Sequence, residues 1–321
     1  MKTIADFDAE LAAVNLFGQW NAEAQLAKLT DGPSPAGQPM VWSYPAVRAK
    51  LDEACVLFPE SLTARRNVTF ITPGLQRRGT TPSIIAGMQL VLPGEIAWAH
   101  RHSIDALRFV VEGDPKLFTV VDGAALMMET NDLILTPSYT WHDHRNEGPA
   151  TGVWLDVLNV PLIAALNQAF YEPYGESVQP IRDSPGKTAM RYPWRQMDER
   201  LRSADGALSP HDGVRFPYLD PDTGVHVMPS MGCYAQLLPP AFRGFAHRHT
   251  SSSVYYVVAG RGSVAIDGAS YEWTAKDSFA VPGWSKHHLV NASATDPAIL
   301  FSVTDDPLLA ALGLLREEDV L

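Results

Sequence analysis

The sequence predicts a mainly β protein in which one small barrel occurs twice behind a helical segment. Three observations point there. The chain of 321 residues repeats itself at a nearly constant offset of 145 to 147 positions. Gln89 in Gly-Met-Gln-Leu-Val-Leu-Pro matches Gln236 in Tyr-Ala-Gln-Leu-Leu-Pro-Pro, and His100-Arg-His matches His247-Arg-His. Val110-Val-Glu-Gly matches Val257-Val-Ala-Gly, Asp122-Gly matches Asp267-Gly, and Pro137 to Asn146 matches Pro282 to Asn291. Pro161-Leu-Ile-Ala-Ala-Leu closes the series against Pro307-Leu-Leu-Ala-Ala-Leu. Matched blocks in constant order mark duplicated domains. Second, short apolar runs at 107–111, 118–121 and 133–135 are punctuated by Gly and Asp-Gly turns, as strands are. Third, histidines recur two apart, the spacing that puts side chains on one face of a strand.

Taken in order, residues 5–30 read as an amphipathic helix. Phe7, Leu11, Val14 and Leu16 form its stripe, which Trp20 and Leu26 continue. A Pro/Gly loop covers 31–39, an extended piece 42–44, a helix 45–55 and a strand 68–71. Residues 1–80 thus form an N-terminal helical and extended segment. The first barrel with its trailing helix spans 81–170, the helix opening at Pro161. Residues 171–226 carry the weakest pattern and read as a connector of covering loops, with a short helix at 194–201. The second barrel with a C-terminal helix fills 227–321.

Composition narrows the function classes. Hydrophobic residues make up 46% and charged residues 19%, with a net charge of −11 and a pI near 5.3. No Lys/Arg cluster forms a basic face, which argues against nucleic acid and anionic membranes as partners. No apolar run approaches the about 18 residues of a membrane span. Cys55 and Cys233 stand far apart, as two inert thiols in a reducing compartment do. The N-terminus shows no apolar signal core, and a cytoplasmic protein is expected.

The chemistry lies in the histidines. His100 and His102 can reach one ion from one wall, and His142 and His144 repeat the spacing on another strand. A lone His-x-His is more often packing than ligand. Two such pairs at equivalent places, each with a later histidine, favour metal. The candidate ligands are His100, His102 and His142, with His144 an alternative to His142. His247, His249 and His287 form a possible second metal site. Three neutral imidazoles suit Fe, Zn, Cu or Ni.

These stretches resemble the cupin motifs. Gly94, His100, His102 and Gly113 fit the first, although its glutamate position falls on Ala106 (Ser253 in the second copy). Pro137, His142 and Asn146 fit the second, with Tyr139 at its glycine position. More specifically, Leu92-Pro-Gly-Glu, Ala99-His-Arg-His, Ala106-Leu-Arg-Phe, Val111-Glu-Gly and Thr140-Trp-His-Asp-His resemble the gentisate 1,2-dioxygenase family of bicupins. That family also contains salicylate and 1-hydroxy-2-naphthoate dioxygenases. The resemblance implies a bicupin fold, two double-stranded β-helix (jelly-roll) barrels. It implies Fe(II), an aromatic hydroxy acid and O2 as reactants, and a homo-oligomer, a tetramer or dimer. It implies ring opening between the carboxyl-bearing and hydroxyl-bearing carbons, which turns gentisate into maleylpyruvate. The first of the paired Arg65 and Arg66 is expected to reach the site.

The two copies differ around the ligands. Arg108, six residues after His102, is matched by Tyr255, His144 by Leu289 and Asp156 by Ser302. The second copy lacks each charged or titratable helper, so the first barrel is expected to be catalytic. Arg108 would fork onto the substrate carboxylate, its alternative being an ion pair with Glu112. His144 would hydrogen-bond the phenolate and move a proton. Asp156 would fix a histidine tautomer. Trp154 would pack on the substrate ring or in the core. Ile85 and Ile104 stand where gentisate enzymes usually show an aromatic residue and a glutamine. They make the expected pocket more apolar, so salicylate, a substituted salicylate or a hydroxynaphthoate competes with gentisate. A metal- or acid-binding bicupin without turnover is the alternative of another class. A cupin decarboxylase or isomerase would more often keep the missing glutamate.

Overall fold

The structure, a computed structural model, describes residues 1–26, 32–58, 66–182, 190–203 and 208–320. The chain divides into two compact units, residues 1–35 and 36–321. In the first, the Thr3 hydroxyl accepts from the Asp6 N–H while the Asp6 carboxylate accepts from the Thr3 N–H. This capping box starts the helix Ile4–Ala13. A 3-10 turn, Gln19–Ala22, and the short helix Glu23–Leu26 follow. The continuous helix expected over 5–30 is therefore broken: Asn15 takes a left-handed backbone (φ 59°) just beyond the first helix.

The described residues 36–58 and 66–80, expected to go with the N-terminal helices, pack with the barrels. The strand Met40–Trp42 pairs with Ser278–Val281 of the second barrel. The helix Tyr44–Leu57 buries Tyr44, Val47 and Leu51 in the main core. The strand Arg66–Phe70 pairs with Ile85–Val91 of the first barrel.

Each barrel consists of two antiparallel sheets. In the first, one sheet runs in spatial order Arg191–Tyr192, Leu133–Thr136, Ala106–Glu112, Gly152–Leu158, Ile85–Val91, Arg66–Phe70. Its partner sheet runs Tyr171–Pro173, Ile96–His102, His142–Asn146, Asp114–Val121, Ala124–Met128. The second barrel repeats this order and adds an edge strand, Leu208–Ser209, with Gly232–Leu238, Ala298–Thr304 and Ser253–Ala259 in one sheet and His247–His249 and His287–Asn291 in the other. Asp122-Gly123 and Asp267-Gly268, all at positive φ, make equivalent two-residue hairpin turns. The connector does more than cover: Tyr171–Pro173 and Arg191–Tyr192 extend the first barrel, and Gly213–Pro217 extends the second.

The strand Ala106–Glu112 shows how the barrels join. Leu107, Phe109 and Val111 point into a core shared by both barrels, while Val110 points into the first barrel's own core. Burial on both faces explains its nearly unbroken apolar run. Phe109 stacks on Phe301 of the second barrel at 4.1 Å. Each such fully buried ring contributes about 1.5–3 kcal/mol. Two repeat-related hydrogen bonds close the junction. Asn159 Nδ2 donates to Ser230 Oγ at 2.9 Å, and Ser83 Oγ donates to Asp305. No described helix is long and apolar enough to cross a membrane.

Candidate metal centre and substrate cavity

Strand register gathers the first triad. Ile96–His102 and His142–Asn146 pair antiparallel, with His100 opposite His142 across a bulge. His102 shares a face with His100. The three ring centroids lie 5.4, 4.3 and 4.8 Å apart, and each ring offers a nitrogen within 4.8 Å of the others. Every Nδ1 faces a backbone carbonyl: His100 that of Trp98 (2.7 Å), His102 that of Ile104 (2.8 Å), His142 that of Thr140 (3.0 Å). A carbonyl only accepts, so each Nδ1 carries the proton and each Nε2 keeps a lone pair. His142 is fully buried and its Nε2 has no hydrogen-bond partner among the described residues. A bare buried nitrogen is costly unless it ligates something. Burial first, then the charge of Arg108 and the other imidazoles, pushes the His142 pKa well below the usual histidine value. The donor set fits a divalent transition ion.

A cavity of about 290 Å³ opens on this triad. Arg108, His144 and Asp156 line it together with His100 and His102. Arg108 is nearly buried; its Nη1 donates to Thr136 Oγ1 and its Nε lies 3.8 Å from Asp156. Its place does not come from strand parity with His102. Residues 103–105 break the strand, and Arg108 reaches the site from the facing sheet. Pairing with Glu112 is ruled out, because that carboxylate binds Tyr44, Arg48 and Lys276. His144 Nδ1 lies 2.7 Å from Thr119 Oγ1, whose hydroxyl donates to the Met128 sulfur at 3.2 Å. Thr119 therefore accepts from His144 Nδ1, which leaves Nε2 as an acceptor. His144 stands beside the triad, its ring 6.0 Å from His142.

Other expectations are corrected. Asp156 accepts from Asn67 Nδ2 at 3.1 Å and faces Arg108, while backbone carbonyls fix the ligand tautomers. Trp154 is fully buried, packs 5.2 Å from the His144 ring and does not line the cavity. Ile85 lines it; Ile104 sits in the turn between the sheets and contributes its carbonyl to His102. Arg65 lies outside the described residues. Arg66 is buried in a two-pronged pair with Glu95 at 2.6 and 2.7 Å and does not line the cavity.

The cavity also holds Asn67, Thr69, Arg78 and Gln89, which sequence reasoning missed as site residues. Gln89 had left a trace as a residue repeated at Gln236. Nothing in local pattern marks Arg78. Tyr171, on an edge strand from the connector, stacks on His100 at 5.3 Å. The motif asparagine holds the backbone together, since Asn146 Nδ2 donates to the carbonyls of Val91 and Ala150. Tyr139, at the motif's glycine position, holds φ 63°, which explains why glycine suits it.

The second triad repeats the first. Its centroids lie 5.6, 4.4 and 4.9 Å apart. Nδ1 of His249 and His287 face the carbonyls of Ser251 (2.7 Å) and Ser285 (3.0 Å). Its cavity measures about 80 Å³. Charged groups are not absent, as the matched positions had suggested. Asp212, Arg215, Asp306 and Glu317 line it from other segments.

Comparison with known proteins agrees with this geometry. The family model described as "Cupin domain" matches residues 87–158 and 235–304. The chain is 41% identical to a 1-hydroxy-2-naphthoate 1,2-dioxygenase of Nocardioides, over 98% of this chain and 88% of the relative. It is 32% identical to gentisate 1,2-dioxygenase 1 of Aquipseudomonas alcaligenes, over 97% of this chain and 95% of the relative. Among solved structures it resembles a salicylate 1,2-dioxygenase from Pseudaminobacter salicylatoxidans, with a TM-score of 0.88 and 25% identity, covering 99% of this chain and 98% of that one.

Proposed function

The chain belongs to the gentisate 1,2-dioxygenase family and is a ring-cleaving dioxygenase, and we propose that its substrate is a fused-ring ortho-hydroxy acid of the 1-hydroxy-2-naphthoate type. The ring opens between the carboxyl-bearing and hydroxyl-bearing carbons with O2, and the ion at His100, His102 and His142 is Fe(II). The observation that carries the fused ring is the apolar part of the cavity, formed by Ile85, Leu158 and Val160. A second aromatic ring gains from apolar neighbours, whereas a second hydroxyl would need a hydrogen-bond partner there. The identity to the Nocardioides enzyme supports the same choice. Gentisate is the second reading. Asn67 and Gln89 favour it, the latter with a buried Nε2 that has no hydrogen-bond partner among the described residues.

When bound, the iron supplies open coordination positions for the acid and O2 and the electrons that activate oxygen. The chain's own residues do the rest. Arg108, held by Thr136 and Asp156, presents a planar fork to the substrate carboxylate. The fork fixes the position of the acid, and Asp156 balances its charge in a nearly dry wall. The His144 Nε2 lone pair, fixed by Thr119, takes the proton of the ring hydroxyl. Arg78, at the exposed rim, adds positive charge where an anionic substrate enters.

A cytoplasmic homotetramer belongs to the same proposal. Both cysteines are free, and Phe7, Val14, Leu16 and Phe17 are exposed apolar residues that suit subunit contacts. Oxygen uptake by anaerobically Fe(II)-loaded protein tests the activity, with 1-hydroxy-2-naphthoate, salicylate, 5-substituted salicylates and gentisate as substrates. The highest kcat/KM is expected for the naphthoate. Faster turnover of gentisate would replace this reading by the second, and no uptake with any acid would overturn both.

A further inference from the structure

The second triad has no part in the chemistry above, yet its geometry is preserved to within about 0.2 Å in each centroid separation (5.6, 4.4 and 4.9 Å against 5.4, 4.3 and 4.8 Å). His247 and His287 are buried, and the Nδ1 atoms of His249 and His287 are held by carbonyls as in the first site. His247 Nδ1 lies 3.5 Å from the Phe245 carbonyl, so all three rings turn Nδ1 to a carbonyl and offer the other nitrogen to one place. Packing alone would not keep three bare imidazole nitrogens together.

Strand register adds what the first site lacks. The strand Glu317–Asp319 pairs with His247–His249 and puts Glu317 directly opposite His249. The equivalent pair in the first barrel is Tyr171 opposite His102. Directly opposed residues of an antiparallel pair share a face, and Glu317 lines the second cavity. Its carboxylate makes no hydrogen bond or ion pair with any described residue. Its neighbours are engaged: Glu318 pairs with Arg248 at 2.9 Å and Asp319 with His211 at 3.0 Å. A cavity of about 80 Å³, against about 290 Å³ in the first barrel, leaves no room for an aromatic acid. Arg215 faces this cavity, but Asp212, Asp306 and Glu317 outnumber it.

We propose that the second barrel is a structural site for a divalent first-row transition ion, with His247, His249 and His287 as ligands and Glu317 of the C-terminal strand, an exposed residue whose carboxylate lies outside the imidazole triangle, turning in as the fourth to close it. Four protein ligands close a site, whereas three keep it open for reactants. The carboxylate missing from the motif at Ser253 is replaced from a different strand. The ion ties the C-terminal strand to the barrel.

The test is a Co(II) titration of the metal-free full-length chain, read by its visible d–d bands and by metal analysis. Two ions per chain are expected, and one in His142→Ala and in His287→Ala. Glu317→Gln should weaken the second ion at least tenfold and leave the first unchanged. One ion in the wild type, lost in His142→Ala, would overturn the proposal. If His287→Ala does not fold, the wild-type and His142→Ala counts decide. A Glu317→Gln titration identical to the wild type would overturn the fourth ligand. Ion counts do not depend on ring cleavage, so failure of the proposed substrate leaves this result standing.

Discussion

The two barrels carry nearly the same histidine triangle in different surroundings. Around the first, Arg108, His144 and Asp156 face a cavity of about 290 Å³; at the matched positions the second has Tyr255, Leu289 and Ser302, around a cavity of about 80 Å³. Opposite His102 stands Tyr171, whose ring stacks on His100 at 5.3 Å; opposite His249 stands the carboxylate-bearing Glu317. Holding an ion needs only the triangle and its backbone carbonyls. Turning over an acid needs space, a fixed guanidinium and a placed proton acceptor. Duplication preserved the first requirement in both copies and the others in one.

Substitutions sharpen that contrast. His142→Ala should lower ring cleavage by about 1,000-fold or more, since it removes a ligand of the reacting ion, whereas His287→Ala should lower it less than about tenfold. Steady-state oxygen uptake measures both, and equal losses would break the comparison. Next in size is Arg108. Arg108→Gln removes charge-assisted hydrogen bonds of about 1.5–3 kcal/mol, or about 10- to 100-fold in kcat/KM. Arg108→Lys should recover little, because it lacks the fork. Tyr255→Phe at the matched position should leave kcat/KM within about twofold.

Thr119→Val removes the acceptor that sets the His144 tautomer and should cost about tenfold in kcat, with Thr119→Ser restoring it. A kcat unchanged in the valine variant would remove His144 from the proton path. The smallest effect concerns selectivity. Ile85→Tyr should shift the ratio of naphthoate to gentisate kcat/KM about tenfold toward gentisate, an amount expected from one pocket contact. An unchanged ratio would detach Ile85 from ring recognition.

Much of this was legible in the sequence because its signals are local. Two-residue spacing, Asp-Gly turns and the offset between Gln89 and Gln236 foretold strands, hairpins and duplication. The ligand triads were legible for the same reason. Arg108 lines the cavity, but not for the reason the sequence offered, since parity along one strand fails where residues 103–105 turn. Asn67, Arg78 and Tyr171 were not legible. They reach the site from segments whose pairing is set by the tertiary fold. Asp156 was assigned a role without its partner Asn67, which lies 89 residues away. Trp154 took the ordinary fate of a large apolar ring, burial.

The most direct test of the central claim is a crystal structure of the Fe(II)-loaded protein with 1-hydroxy-2-naphthoate under anaerobic conditions. The acid should lie in the first cavity alone, its carboxylate on the Arg108 fork and its hydroxyl within hydrogen-bond reach of His144 Nε2. Acid bound in the second barrel, or a carboxylate turned away from Arg108, would contradict the division of labour between the two copies.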